Sequence, residues 1–166
     1  NCSKDDIIKP QTELPPITQT GENTVGCLVD GEVFLPKGSN PLGNPVLTCF
    51  YQFVNGQWHF SLGFSNNKKE HLRAINIASH NINFEEGKSY NLVFDDGNNA
   101  FGRYTIYKNG TGYDYRTSNE IKGKLTINKL DQNKAIISGT FWFDAVNSNG
   151  ENVEIREGRF DMQYTV

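Results

Sequence analysis

The sequence predicts an all-β domain, an antiparallel β-sandwich or partly closed β-barrel built from consecutive hairpins. Three observations carry this. Aromatic residues make up 12% of the 166-residue chain, and such side chains fit a pleated, half-buried surface. Turn dipeptides that supply positive φ recur along it: Asp30-Gly31, Asn55-Gly56, Asp96-Gly97, Asn109-Gly110 and Asn149-Gly150. The runs between these turns are short and alternate apolar with polar residues, the period of a strand.

Residues 1–22 carry Pro10, Pro15 and Pro16 and almost no apolar periodicity, so they read as an extended tether. A single domain is expected over 23–166. A strand is expected over Val25 to Phe34. The run from Leu47 to Phe64 gives the sharpest prediction. With Asn55-Gly56 as a two-residue type I′ loop, Phe53 faces Trp58, Tyr51 faces Phe60, Cys49 faces Leu62 and Leu47 faces Phe64, all on one face. The other face pairs Gln52 with His59 and Phe50 with Ser61. A slip of one residue would scramble this partition, so turn chemistry and alternation select the same register.

Further strands are expected at Leu72 to Ala78, where Leu72 and Ile75 also allow a helical reading, and at Tyr90 to Phe94 and Leu125 to Ile127. A second hairpin centres on Asn109-Gly110 and pairs Ile106 with Tyr113 and Tyr104 with Tyr115. It also sets Arg103 against Arg116, a like-charge pair that calls for a bulge or a parting of the strands. Toward the C-terminus, Ile137, Phe141 and Phe143 share one strand face with Trp142 on the other. Val153 and Ile155 have the opposite phase from Phe160 and Met162, and a bulge near Glu157-Gly158 would restore it.

Three cysteines leave an odd one to explain. Cys27 and Cys49 both fall on apolar faces and are open to two readings, a disulfide or a pair of buried thiols. Cys2 belongs to a different setting. Cys2-Ser3-Lys4-Asp5-Asp6 followed by a Pro-containing stretch resembles the start of a mature bacterial lipoprotein of the Bacteroidetes type. Thr24 to Gly31, Phe84 to Tyr90, Ile137 to Phe143 and Glu157 to Asp161 are similar to an uncharacterised family of small β-rich lipoproteins, a domain of unknown function. The resemblance implies a lipid on Cys2, export, and attachment to the bacterial outer membrane with the domain surface-exposed or periplasm-facing. It implies no catalytic or binding residue, because the family has no assigned activity.

Chemistry is sparse elsewhere. A net charge of -3 argues against nucleic acid, which needs a basic field. His59, His71 and His80 lack the spacing of a zinc motif, no CxxC occurs, and His59 faces outward in the hairpin. Asp95-Asp96-Gly97 lacks the alternation of a calcium loop and reads as a hairpin turn. Without a GxSxG, a P-loop or a GxGxxG, no catalytic residue, metal site or cofactor is expected. Tyr107 and Trp142 are the candidate ligand platforms, set against the plainer alternative of cross-strand and sheet-covering aromatics. The expected function is a lipid-anchored envelope protein, a non-enzymatic module for an extracellular glycan or protein. The alternatives are a structural or assembly accessory of the envelope and, further off, a small secreted hydrolase.

Overall fold

A computed structural model describes residues 13–39, 45–68 and 70–166, and every regular element among them is a β-strand. Cys2, the expected lipid attachment, lies outside the described residues. The strands are β1 (Thr24–Val29), β2 (Glu32–Phe34), β3 (Leu47–Val54), β4 (Gln57–Asn66), β5 (Leu72–His80) and β6 (Ser89–Leu92). They continue as β7 (Ala100–Lys108), β8 (Thr111–Arg116), β9 (Gly123–Asp131), β10 (Ile136–Val146) and β11 (Asn152–Gln163).

All eleven join one sheet in the order β2-β1-β11-β10-β9-β6-β7-β5-β4-β3, with β8 pairing both β7 and β10. That double pairing closes β10, β9, β6, β7 and β8 into a ring. The long sheet also folds back on itself. Just past β11, Thr165 bridges Phe50 of β3, with Tyr51 N donating to Thr165 O and Thr165 N to Cys49 O. The two layers meet through aromatic contacts, Phe60 with Phe160 at 6.1 Å and Phe64 with Phe141 at 6.3 Å between ring centroids. Leu62, Ile77, Leu125, Ile127, Ile137, Phe143 and Ile155 fill the space between the layers. The architecture is the expected one, part sandwich and part closed barrel.

The first hairpin forms pair for pair as the sequence predicts, from Leu47 opposite Phe64 to Phe53 opposite Trp58. Asn55 and Gly56 take φ of 51° and 79°, the conformation a type I′ turn requires. Asp30-Gly31 divides the first expected strand into the hairpin β1–β2, and the ambiguous stretch from Leu72 is strand β5. The bulge falls where the phase change demanded it. Phe141 faces Gly158 and Phe143 faces Ile155, so Arg156 and Glu157 together oppose Trp142, with Glu157 at φ 50°.

Two expectations need correction. Arg103 and Arg116 stay in register without a bulge, because Asp114 lies between them. Its Oδ2 is 3.7 Å from Arg103 and 2.9 Å from Arg116, and Thr105 Oγ1 donates to its Oδ1. Burial pulls the Asp114 carboxyl upward, but these hydrogen bonds and charges outweigh it and hold it below the usual range. The Asp95-Asp96-Gly97 turn does not close a hairpin. Strand β6 runs antiparallel to β9 and meets β7 in parallel at Leu92 and Ala100.

Residues 13–22, expected to belong to the tether, lie against the outer side of β1 and β11. Pro15 is buried, and a Cβ on Gly26 would come within 2.9 Å of it, so strand and strap touch through a glycine. The anchor point is Asp161, which the alternation of β11 aims away from the core yet which is only 1% exposed. Its carboxylate accepts hydrogen bonds from Thr18 Oγ1 and from the backbone N–H groups of Thr20, Gly21 and Glu22.

Candidate functional site

The β3–β4 hairpin carries its apolar face past the edge of the opposite layer, so the last inward pair before the turn meets solvent. Phe53 is 61% exposed, and its ring lies 5.3 Å from that of Trp58. From there a ladder of rings runs into the core. Trp58 stacks on Tyr51 at 4.5 Å with 19° between planes, and Tyr51 stacks on the buried Phe84 at 5.4 Å and 13°. Such offset stacks are worth about 1 kcal/mol per pair beyond their buried area, so the exposed rings stand on a stiff base.

Tyr51 is locked at its other end as well. Its hydroxyl accepts from the backbone N–H of Phe84 at 2.9 Å and donates to Asn83 Oδ1. Burial raises this phenol, partly offset by the Phe84 hydrogen bond, so it remains a neutral hydroxyl at physiological pH. Tyr164 meets the Tyr51 ring edge-on at 5.7 Å and is tied by its N–H to Ala135 O. Burial first, then the charge of Asp131, raises the Tyr164 phenol.

The Tyr51, Phe53, Trp58 and Tyr164 rings line an open groove of 480 Å³, whose border also includes Gln52, Gln132 and the exposed Val166. Among the described residues, no charged side chain lines it. The arrangement suits a neutral ligand with one apolar face and hydroxyl or amide groups at its rim.

The two platforms expected from the sequence are exposed but stand apart from this groove and from each other. Trp142, 41% exposed on the outer face of β10, carries the Arg156 guanidinium 5.3 Å from its ring centroid. Arg156 is in turn held by Asp144 Oδ1 at 2.7 Å, so one face of the indole is already covered. A smaller hollow of 250 Å³ beside it involves Lys124, Thr126, Thr140 and Arg159. Tyr107, 38% exposed, sits near the far end of β7 opposite Gly112.

Cys27 and Cys49 are free thiols, both buried. Burial pushes the Cys49 thiol up to about 12 and that of Cys27 higher still, against a small opposing effect of Arg73, so neither offers a nucleophile near neutral pH. Asp95 and Asp96 each accept a backbone N–H two residues on, from Gly97 and Asn98, which is turn chemistry. His71 is 3.7 Å from Glu70, and His80 has His59 and Asp95 as its polar neighbours. Among the described residues, no group of three or more His, Cys, Asp or Glu is placed to hold a metal ion.

Alternation alone assigns Phe53 and Trp58 to the core and so misses their role in the groove. The available signal was position: they are the inward pair nearest the turn, where a hairpin outruns its cover.

A protein-family model described as a domain of unknown function, DUF6252, matches residues 65–162. It starts inside β4, takes in β5 to β10 and all but the last residue of β11, and leaves Phe53 and Trp58 outside. No curated protein and no solved structure matches the chain.

Proposed function

The chain belongs to the DUF6252 family of domains of unknown function, and from its own surface we propose a non-enzymatic binding module that grips an extracellular glycan in the groove between Phe53, Trp58 and Tyr164. One observation carries this reading: a core-anchored ring ladder surfaces in an open groove that has Gln132 at its border and no charged side chain among its described lining residues. A sugar ring offers an apolar face to stack on an aromatic and hydroxyls to pair with amides. A protein ligand offering a small apolar side chain is the second reading, favoured by the exposed Val166 at the groove's mouth.

Phe53→Ala separates binding from folding. Phe53 is mostly exposed, so the variant should melt within about 2 °C of the parent, while glycan affinity measured by calorimetry falls tenfold or more, about 1.4 kcal/mol. Undiminished glycan binding in Phe53→Ala would place the ligand elsewhere. If glycans fail while a protein from the same envelope is held through Phe53, the second reading takes over.

The module is proposed to be displayed on the outer membrane by a lipid on Cys2. Because residues 13–22 are held on the domain, only the stretch from Cys2 to Glu13 remains as spacer, a reach of at most about 40 Å. Cys2→Ser in the full-length precursor is expected to move the protein from the membrane fraction to the soluble one. A soluble parent protein would remove the anchor from the proposal and leave the groove untouched.

A further inference from the structure

On the outer face of β4 and β5, His59 and His80 stand directly opposite each other in the antiparallel ladder. Cross-strand partners have Cβ atoms about 5 Å apart, close enough for two imidazoles to share one ligand. Their Nδ1 atoms are 3.1 Å apart and the rings are inclined at 69°, so the two nitrogens converge and the ring faces do not stack. An ion bound about 2.0–2.1 Å from each nitrogen, with ligands at tetrahedral or square angles, needs them roughly 2.8–3.4 Å apart. The observed separation falls inside that window.

A second observation concerns the far side of His80. Its Nε2 faces Asp95 Oδ1 at 3.9 Å. The separation is beyond a direct hydrogen bond, and the nearby carboxylate charge favours the tautomer with the proton on Nε2, which leaves the Nδ1 lone pair for a metal. The backbone around the pair is fixed: His80 N donates to Asn99 O, Asn81 N donates to Trp58 O, and the Phe101 ring lies 5.7 Å from that of His80.

We propose that His59 and His80 are the two protein ligands of a site for a divalent transition-metal ion of the imidazole-preferring class, Zn²⁺ or Cu²⁺, with Asp95 as a positioning residue. Water completes the coordination, since the His80 and Asp95 side chains are 37% and 46% exposed. Without metal, the Nδ1–H of His59 donates to Nδ1 of His80. On binding, that proton moves to Nε2 of His59, and each imidazole gives one nitrogen lone pair to the ion. No other bond of the pair changes, and no oxidant or reductant is involved. This site lies on the other face of the hairpin from the Phe53–Trp58 pair and does not depend on a glycan.

The test is calorimetric titration of the full chain with Cu²⁺ and Zn²⁺, using Cys2→Ser so that its thiol does not compete. One ion per chain is expected, and the Cu²⁺ complex should show hyperfine splitting from two nitrogens by electron paramagnetic resonance. His59→Gln and His80→Gln should each weaken binding 100-fold or more. Asp95→Asn should weaken it by less than either glutamine variant while keeping the two-nitrogen signature. His71→Gln, just before the other end of β5, should leave it unchanged. Both paired histidines are only half-buried, so the glutamine variants are expected to fold, with a thermal melt as the check. The proposal is overturned if the parent takes up no stoichiometric ion, or if His59→Gln and His80→Gln bind it as the parent does.

Discussion

Replacing Asp161 with alanine is expected to lower the stability of the chain by about 3 kcal/mol and to free residues 13–22 from β11. The carboxylate is buried and meets four donors: Thr18 Oγ1 at 2.6 Å, Gly21 N at 2.8 Å, and Thr20 N and Glu22 N at 3.1 Å. A group that only accepts is met here by four donors, three of them backbone N–H groups that can only donate. Alanine leaves three backbone N–H groups without their partner. The side-chain amide of Asp161→Asn would turn an NH₂ toward at least one of them, so that variant should recover only part of the loss.

The same clasp sets a pH dependence. Burial alone would raise the Asp161 carboxyl, but the hydrogen bonds from Thr18, Glu22, Gly21 and Thr20 together hold it below its ordinary value. A carboxyl depressed in the folded state stabilises fully above its unfolded value, about 3.9, and its contribution disappears as pH falls through the lower folded value. Urea midpoints for the parent and Asp161→Ala should therefore differ most at about pH 6–7 and least at acid pH, drawing together as pH falls through the lowered folded value. Limited proteolysis at pH 7 should cut the alanine variant within 13–22 first. Equal midpoints at both pH values, with an uncut strap, would show that Asp161 does not hold the segment.

The strap also shows where sequence reading stops. Register was legible wherever a local turn and an alternating run fall together, as at Asn55-Gly56 and Asn109-Gly110, because both signals lie within a few residues. The bulge opposite Trp142 was legible for a similar reason, as a phase change inside one strand. Strand order was not. That β6 sits between β9 and β7, and that Thr165 returns to β3, depend on contacts between residues far apart in the chain. Asp161 is the clearest case: alternation correctly turns it away from the core, but its burial is made by a segment some 140 positions earlier that has no periodicity of its own. The groove divides in the same way. Its pairing of Phe53 with Trp58 was readable, whereas its opening depends on where the opposite layer ends.

Gly123→Ala is expected to cost at least about 3 kcal/mol, a fall in Tm of roughly 6–12 °C for a chain of this length. Gly123 begins β9 and is paired on both sides, with Phe143 of β10 and Leu92 of β6. A Cβ there would stand 2.2 Å from Phe143 Cβ, 2.3 Å from Trp142 O and 2.7 Å from Phe143 Cα. None of these is the end of a flexible side chain, so relief requires the strands themselves to separate. The Phe143 side chain cannot yield in the other direction, because it is fully buried and its ring lies where a Cβ on Gly102 would come within 2.9 Å. β9 is also one member of the closed five-strand ring, so a shift at Gly123 propagates to the β6–β9 pairing. Gly110→Ala is the control that separates crowding from backbone strain. Gly110 has φ 77° and nothing within 4 Å of its would-be Cβ, so alanine there meets only the left-handed penalty, about 1 kcal/mol. Chemical denaturation of the two variants should rank them in that order; equal losses would mean that the close strand contact at Gly123 is relieved at little cost, and a Gly123→Ala protein as stable as the parent would require β9 and β10 to lie farther apart than their shared register allows.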